Sequence, residues 1–410
     1  EKDERTDIAP TNEEALTRLL DSLEKASDGI QRDKGTRFET LIRDWLTKEP
    51  TYKDLFSSVL TFKAWSKEHP EFAFNGRDIG VDLVGVNAEG NGFTAIQCKF
   101  YGKNAKVGKG EVDSFIAASN IPCFTHRMLI ATNESWTNNV TKQLQTVTPP
   151  ITLITRETLA QSTVDWGAYQ KGEVKILAKR VPREYQKEAI KDVIEGFKTA
   201  DRGKLIMACG TGKTFTSMKI AEDAGIAGKG GFVLFLVPSL SLLSQTLSDW
   251  KQQCKFPIKA FAVCSDNTTG KADLEDLDSL TVGSELSYPA TTNAKQLAVQ
   301  VNEALKNKDC LTVIFSTYQS LDVIHQAQHL SKQNNRKQLP LVDELKEPRL
   351  NSDDTSMKSF DLIVCDEAHR TVGGYYSDEK EAVFTRVHDN DYVKAKKRLY
   401  MTATPKIYGA

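Results

Sequence analysis

The sequence predicts an α/β fold for most of the chain, arranged as a mixed unit followed by a second unit built on a parallel sheet. In the first part, an amphipathic helix precedes two short strands that flank a glycine-rich turn. In the second part, continuous apolar strands alternate with helices, which is typical of a parallel sheet covered on both faces. A chain of 410 residues is long enough for two or three such domains.

Composition and charge exclude several classes of protein. Hydrophobic residues make up 40% of the chain and charged residues 27%, which excludes a wholly disordered chain, a collagen-like fibre and a small disulfide scaffold. The 54 basic and 55 acidic residues give a net charge of -1, so any binding of nucleic acid must come from local patches. The seven scattered cysteines favour a reducing compartment. With neither a signal core nor an apolar run of membrane-spanning length, we expect a cytoplasmic protein.

The first 165 residues are predicted to form one short tail and one folded unit. Residues 1–30 are predicted to be a solvated helix or tail, and residues 31–165 a compact α/β domain. An amphipathic helix begins near residue 36 and carries an apolar stripe with helical spacing. That stripe consists of Phe38, Leu41, Ile42, Trp45 and Leu46. Beyond it, the pattern predicts strands at 81–86, 93–100, 128–132 and 151–154, and a helix at 111–119.

Polar and basic residues 166–182 are predicted to be a linker to a second domain at 183–410. The apolar strands of this domain are predicted at 204–208, 231–237, 311–315, 362–365 and 398–401. Two polar stretches, 265–292 and 326–358, interrupt the alternation and are predicted to be surface insertions.

A glycine-rich loop follows the first strand of the second domain and opens a helix. It consists of Gly210, Thr211, Gly212, Lys213 and Thr214. Glycines allow backbone N–H groups to turn toward phosphate oxygens, and the helix N-terminus adds its dipole. Lys213 is expected to reach the β- and γ-phosphates, and the Thr214 hydroxyl to bind Mg²⁺. The loop therefore predicts a site for ATP and Mg²⁺, although Met207 replaces the first glycine of the general pattern.

Two carboxylates end the apolar strand at 362–365. Ligands of α/β sheets bind at the carboxyl ends of the strands, so Asp366 is expected to hold Mg²⁺ there. Glu367 is expected to position and deprotonate the attacking water. His369 is expected to form a hydrogen bond with later elements. The pair and the phosphate loop together predict an ATPase.

With these motifs in order, residues 181–410 resemble the first RecA-like domain of a superfamily 2 helicase or translocase of the DEAH-box type. Gln186 resembles the glutamine that contacts adenine. Residues 237–245 resemble motif Ia, which grips a nucleic-acid strand, and residues 316–320 resemble motif Ib. Residues 402–405 resemble motif III, which couples hydrolysis to movement. Only five residues follow, so we expect a fragment whose second RecA-like domain is absent and whose ATP turnover in isolation is low.

Acidic and basic residues also gather on the predicted hairpin of the first domain. Gln97 and Lys99 are two apart on one strand and share a face, and the hairpin is expected to bring Asp82 beside them. The Asp82 carboxylate is suited to hold a divalent metal, with the Cys98 carbonyl completing its shell. Lys99 is suited to orient the attacking water and to offset charge in the transition state. Glu39, on the amphipathic helix, is a candidate second acid.

This hairpin resembles the PD-(D/E)xK nucleases, in particular the Mrr-like branch that uses Gln-x-Lys. Gln97 stands where an acid is more common, which leaves the number of metal ions open. Asp78 is an alternative or auxiliary acid. Three further lysines follow Lys99 without an intervening acid, and either DNA phosphate contacts or a solvated turn would explain them. These lysines are Lys103, Lys106 and Lys109.

An Mrr-like restriction-endonuclease fold followed by a RecA-like domain resembles the N-terminal part of type ISP restriction–modification enzymes. The resemblance implies ATP-driven movement on double-stranded DNA coupled to metal-dependent cleavage. It also implies partners within the same polypeptide: a second RecA-like domain, a methyltransferase and a target-recognition region. Two alternatives stay open: a helicase–nuclease of another defence or repair system, and a motor joined to a catalytically dead, nuclease-like DNA-binding module.

Overall fold

The computed structural model describes residues 10–26, 31–72, 80–102, 109–133, 147–264, 286–330, 356–371 and 383–404. The chain divides into two units. The first contains Glu1–Arg180 and Ala272–Pro289, and the second contains Val181–Lys271 and Ala290–Ala410. None of the helices in the described ranges combines the length and apolar character that a membrane crossing requires.

The first unit has a mixed sheet with helices packed against it. Its helices are α1 Asn12–Ala26, α2 Gln31–Lys48, α3 Phe62–Glu68, α4 Lys109–Ala118, α5 Arg156–Ala160 and α6 Trp166–Tyr169. Its strands, in spatial as well as chain order, are β1 Phe56–Thr61, β2 Leu83–Asn87, β3 Phe93–Lys99, β4 Phe124–Ala131 and β5 Ile151–Ile154. The pairs β1–β2 and β2–β3 are antiparallel, whereas β3–β4 and β4–β5 are parallel.

The predicted hairpin and amphipathic helix are both present, and together they position the nuclease candidates. Strands β2 and β3 pair with Leu83 opposite Ile96. The whole predicted stripe of α2 is buried, and Phe38 on that stripe contacts Phe100 edge to face at 5.5 Å. Strand β1 was not predicted, because its sequence mixes serines with apolar residues and lacks regular alternation.

Three segments that the sequence predicted to be tail, linker or insertion belong to the first unit. In α1, predicted as a tail or helix, Leu16 and Leu19 are buried, and Asn12 Nδ2 donates to the Val164 carbonyl at 2.9 Å. In α6, predicted as linker, Trp166 is buried and its indole N–H donates to the Leu159 carbonyl at 2.9 Å. Burial of these apolar side chains explains why both ends belong to the folded unit.

The third segment, residues 286–289, comes from the stretch predicted to be a surface insertion. Tyr288 is buried in the first unit and its ring stacks on Tyr52 at 6.4 Å. The Tyr52 hydroxyl donates to the Ser287 carbonyl at 2.7 Å. Residues 290–292 of that insertion are described and include a short strand of the second unit. Residues 265–285 lie outside the described residues, as do residues 331–355 of the second predicted insertion.

A buried carboxylate fixes the end of α2. Glu49 accepts hydrogen bonds from the Ser162 hydroxyl at 2.5 Å and from the Thr163 backbone N–H at 3.0 Å. The indole N–H of Trp45, one turn earlier, donates to the same Ser162 hydroxyl at 2.9 Å. Hydrogen bonds to a charged group are each worth about 1.5–3 kcal/mol, so this network holds in place the helix that carries Glu39.

The described residues of the second unit form a parallel sheet flanked by helices. The helices are α7 Glu184–Gly196, α8 Lys213–Asp223, α9 Leu240–Gln253, α10 Ala294–Ala304 and α11 Leu321–Gln328. The strands are β6 Arg202–Ile206, β7 Phe232–Val237, β8 Ile258–Val263, β9 Ala290–Thr291, β10 Leu311–Thr317, β11 Leu362–Cys365 and β12 Arg398–Thr402. Their spatial order is β6-β12-β11-β7-β10-β8-β9, and each neighbouring pair is parallel.

The parallel sheet predicted from the sequence is confirmed, and its central strands are the most buried. Every residue of β7 and β10 is buried, as expected for strands covered on both faces. The edge strand β6 departs from that prediction, since Ile206 is 55% exposed. Strands β8 and β9 were not predicted, and β9 has only two residues. All strands run in one direction, so the segments following β6, β7, β10, β11 and β12 lie at one edge of the sheet.

Candidate nucleotide and nuclease sites

The glycine-rich loop of the second unit has the backbone that phosphate binding requires. Gly210 and Gly212 have φ angles of 73° and 83°, in the left-handed region that favours glycine. Gly212 is the N-cap of α8, so Lys213 and Thr214 occupy the first turn of that helix. A Cβ atom at position 212 would lie 2.7 Å from Nε2 of Gln186. The loop and the helix N-terminus form a pocket of N–H donors suited to an anion.

Gln186 rests against this loop. Its Oε1 accepts from the backbone N–H of Arg183 at 2.9 Å, and its Nε2 donates to the Thr211 carbonyl at 2.9 Å. The hydroxyl of Tyr185 donates to the same carbonyl at 3.1 Å. The sequence pointed to adenine as the partner of Gln186, whereas the structure adds a direct role in shaping the loop.

Asp366 and Glu367 follow β11 at the same edge of the sheet. Asp366 is buried, and its burial raises the pKa of its carboxyl to about 6. The hydrogen bond from the Glu367 backbone N–H lowers this pKa, the Glu367 carboxylate raises it and Lys213 lowers it. Lys213 Nζ lies 3.9 Å from Oε1 of Glu367. The two predicted motifs, separated by about 150 residues, therefore meet in one cluster with both charge signs.

His369 connects this cluster to the last strand. Its Nδ1 lies 3.3 Å from Oε2 of Glu367 and 3.1 Å from Oγ1 of Thr402, the first residue of the segment that resembles motif III. The structure thus brings the phosphate loop, the acidic pair and residue 402 into one network.

A histidine outside the predicted site, His388, forms two hydrogen bonds in the same part of the second unit. His388 Nε2 donates to the Thr371 carbonyl at 3.0 Å, because a carbonyl only accepts, and Nδ1 then accepts from the Tyr400 hydroxyl at 2.9 Å. Burial lowers the pKa of His388, and the nearby Arg202 and Arg398 lower it further.

We expect the contribution of His388 to the stability of the second unit to fall as the pH drops below about 6.5, the ordinary pKa of histidine, while the raised pKa of Asp366 acts in the opposite direction. Above that pH the neutral imidazole satisfies both hydrogen bonds, whereas below it the unfolded chain takes up a proton that folded His388 resists. Urea unfolding at pH 7.5 and pH 5.5 measures this loss. In the His388→Gln variant the difference between the two pH values should be smaller. An equal difference in both proteins would contradict the role of His388.

The nuclease candidates gather around β3 in the first unit. Asp82 Oδ2 accepts from the backbone N–H of Cys98 at 2.7 Å, which places its carboxylate directly beside the strand. The Lys99 carbonyl accepts from the backbone N–H of Thr132 at 3.1 Å, so this end of β3 is held from the other side as well. Burial raises the pKa of the Cys98 thiol well above its usual value, and the nearby carboxylates of Asp82 and Glu39 add to that shift while Lys99 opposes it. The four residues thus share one neighbourhood.

Gln97 contributes an unusual buried oxygen to this neighbourhood. Its side chain is 3% exposed, and its Nε2 donates to the Gly80 carbonyl at 2.9 Å. Its Oε1 is buried and has no hydrogen-bond partner among the described residues. A buried amide oxygen without a donor is costly, and a cation or an ordered water would relieve that cost.

The set of donors at this site is sparse in acids. Within the described ranges, no group of three or more histidine, cysteine, aspartate or glutamate side chains is arranged to hold a metal. Asp78, Lys103 and Lys106 lie outside those ranges, and Lys109 lies exposed at the start of α4. The available oxygen donors are therefore the carboxylates of Asp82 and Glu39, the amide of Gln97 and the backbone.

Two residues near these sites were not identified from the sequence. Lys34 on α2 is buried, pairs with Glu24 at 2.7 Å and lies 4.4 Å above the ring of Phe100. Tyr318 donates from its hydroxyl to the Asp366 carbonyl at 2.8 Å. Only the position of Tyr318 within the segment that resembles motif Ib gave any signal for it.

Together, the folds and the two clusters define a restriction-nuclease domain joined to a helicase-type P-loop domain. Residues 47–176 match the family model described as "Restriction endonuclease", and residues 179–407 match the model described as "Type III restriction enzyme, res subunit". The second match covers more than half of the chain, and the chain belongs to that family.

The chain is also similar to solved structures and to a curated protein. The chain is 33% identical, with a TM-score of 0.71, to the structure titled "ATP-dependent Type ISP restriction-modification enzyme LlaBIII bound to DNA", covering 98% of this chain and 23% of that one. A nuclease-deletion mutant of the type ISP enzyme LlaGI, in complex with a DNA substrate mimic, is 37% identical over 56% of this chain and 18% of that one, with a TM-score of 0.39. A "Probable helicase" of African swine fever virus is 30% identical over 224 residues, 55% of this chain and 19% of that protein. The chain spans about a fifth of the length of these proteins.

The predicted resemblance to type ISP enzymes is therefore confirmed, as is the predicted fold class of a nuclease domain followed by a RecA-like domain.

Proposed function

We propose that this chain is the nuclease and first motor portion of an ATP-dependent DNA translocase and endonuclease of a restriction–modification system that cuts foreign double-stranded DNA. The observation that carries the proposal is the meeting of Lys213 with Asp366 and Glu367 at the sheet edge. The nuclease cluster around β3 supplies a second site, suited to cleavage.

In the motor site, the backbone N–H groups of the phosphate loop hold the nucleotide phosphates, and Lys213 neutralises their charge. This loop comprises Gly210, Thr211 and Gly212. The Thr214 hydroxyl and the Asp366 carboxylate are the ligands for Mg²⁺, which when bound neutralises charge developing between the β- and γ-phosphates. Glu367 accepts a proton from the attacking water, and Gln186 contacts the adenine while it braces the loop.

In the nuclease site, Asp82 and Glu39 supply carboxylates, Gln97 its orphaned amide oxygen, and Cys98 its carbonyl, a donor set that fits a hard divalent cation such as Mg²⁺. When bound, such a cation lowers the pKa of its water and polarises the phosphodiester. Lys99 orients that water and offsets the negative charge that builds up on the phosphate.

We propose the remaining assignments on the same basis. Double-stranded DNA is the substrate, and the rest of the polypeptide supplies the second RecA-like domain, the methyltransferase and the target-recognition region. We also propose a cytoplasmic location, since seven scattered cysteines are typical of a reducing compartment. The working domain limits are 31–165 for the nuclease and 183–410 for the motor, and the described contacts of α1 and α6 argue for extending the nuclease in both directions.

Incubating the full-length protein with unmodified phage DNA tests the proposal. We expect cleavage with ATP and Mg²⁺, and none when ATP is omitted or replaced by a non-hydrolysable analogue. Cleavage independent of ATP would contradict the proposed coupling. DNA-stimulated ATP hydrolysis without cleavage would instead favour the motor with a catalytically dead nuclease module. A methyltransferase encoded after Ala410 would separate a restriction–modification enzyme from another defence or repair system.

A further inference from the structure

We propose that Tyr318 is a positioning residue for ATP hydrolysis, acting through the peptide group that joins Asp366 to Glu367. This inference rests on the proposed ATPase function and adds to it a residue that contacts neither nucleotide nor metal. It identifies one physical connection between the segment that resembles motif Ib and the carboxylate proposed to activate water.

Tyr318 reaches the acidic pair from across a neighbouring strand. It lies in Tyr318–Ser320, a short 3-10 turn that follows β10, and its side chain is completely buried. In the sheet, β7 separates β10 from β11. The Tyr318 side chain reaches past the end of β7, and its hydroxyl donates to the Asp366 carbonyl at 2.8 Å. The Cys365 thiol lies beside this hydroxyl. The Phe384 ring packs against the tyrosine ring at 5.1 Å and holds it in this orientation.

The peptide group between Asp366 and Glu367 is held at both of its polar atoms. Its carbonyl accepts from Tyr318, and its N–H donates to Oδ1 of Asp366 at 3.0 Å. This peptide leads into Glu367, whose φ of 46° lies in the left-handed region that costs energy for any residue with a side chain. A hydroxyl that fixes the peptide plane opposes relaxation of this strained backbone.

The strained backbone places the Glu367 carboxylate where hydrolysis needs it. In this conformation, Glu367 lies 3.9 Å from Lys213 and 3.3 Å from His369. Rotation of the preceding peptide would swing the carboxylate away from Lys213. Because Tyr318 belongs to residues 316–320, a displacement of that segment changes the restraint on Glu367. The same hydrogen bond therefore links the segment that resembles motif Ib to the hydrolytic group.

The Tyr318→Phe variant of the full-length protein tests this role, since it keeps the ring and removes only the hydroxyl. We expect kcat for DNA-stimulated ATP hydrolysis to fall about ten-fold, while KM for ATP stays within about two-fold, because the phosphate loop is untouched. The matched control is Tyr400→Phe, whose lost hydroxyl bonds His388 rather than the peptide. We expect that control to retain the wild-type kcat.

A double-mutant comparison separates positioning from a general effect on folding. If Tyr318 acts through Glu367, adding Tyr318→Phe to Glu367→Gln should lower single-turnover hydrolysis no further. Independent, multiplying losses in the double variant would overturn the proposal even if Tyr318→Phe lowers thermal stability. A wild-type kcat in Tyr318→Phe would overturn it too. A wild-type protein that hydrolyses no ATP would refute the proposed function itself.

Discussion

Replacing Lys213 by alanine is expected to abolish ATP hydrolysis and ATP-dependent movement in the full-length protein. Lys213 occupies the first turn of α8 and lies 3.9 Å from Glu367. Its removal takes away the positive charge that we propose neutralises the β- and γ-phosphates. It also leaves Asp366 beside Glu367 without the cation that counters the rise in its pKa. We expect a loss of about 1,000-fold in kcat, or ~4 kcal/mol of transition-state stabilisation.

The measurement is phosphate release in the presence of DNA, combined with displacement of a third strand as a readout of movement. Lys191→Ala is a suitable control, since Lys191 is an exposed lysine on the neighbouring helix α7. Circular dichroism should show that Lys213→Ala folds as the wild type does, because the side chain contributes little to the core. Unchanged ATP turnover in Lys213→Ala would show that residues 210–214 are not the phosphate site.

Asp82→Asn and Lys99→Ala are expected to abolish DNA cleavage while leaving ATP hydrolysis intact. The asparagine keeps a side-chain oxygen for the backbone N–H of Cys98, so the hairpin retains its local geometry. It loses the negative charge that a divalent cation needs, and at a site with few acids this loss should be decisive. Lys99→Ala removes the cation that stabilises the transition state. We expect each variant to lose about 1,000-fold in cleavage rate.

Cleavage of plasmid DNA with Mg²⁺ and ATP measures this effect, and the ATPase rate of the same preparation reports on the motor. Lys63→Ala on α3 serves as the control, since Lys63 is an exposed lysine of the same unit. Persistent nicking by both Asp82→Asn and Lys99→Ala would show that the catalytic assignment is wrong. Loss of ATP hydrolysis in either variant would indicate a general disturbance of the protein rather than a specific effect on cleavage.

Much of this architecture follows from local patterns in the sequence. Apolar strands separated by helices predicted the parallel sheet, and helical spacing predicted the buried stripe of α2. The two-residue spacing of Gln97 and Lys99 predicted that they share a face of one strand, and the structure places the Asp82 carboxylate beside that strand. The glycines at 210 and 212 predicted a loop whose backbone N–H groups turn toward a phosphate, and in the structure both glycines have left-handed φ angles. Each of these features depends on neighbours a few residues apart or on the fixed direction of a strand.

Other features depended on contacts between residues far apart in the chain. Residues 286–289 pack in the first unit although 235 positions separate Tyr52 from Ser287. Trp166 lies in the segment predicted to be a linker, and the sequence left open whether it packs in the core or at the surface, whereas the structure shows it buried.

For the acidic pair too, the sequence predicted one part and only the tertiary structure decided the other. The sequence located Asp366 and Glu367, but only the tertiary structure showed that the Tyr318 hydroxyl, 48 positions away, holds the carbonyl between them. The physical reason is that periodicity records which face of a helix or strand is buried, whereas the partner of a buried polar atom is chosen by the packing of whole elements against one another.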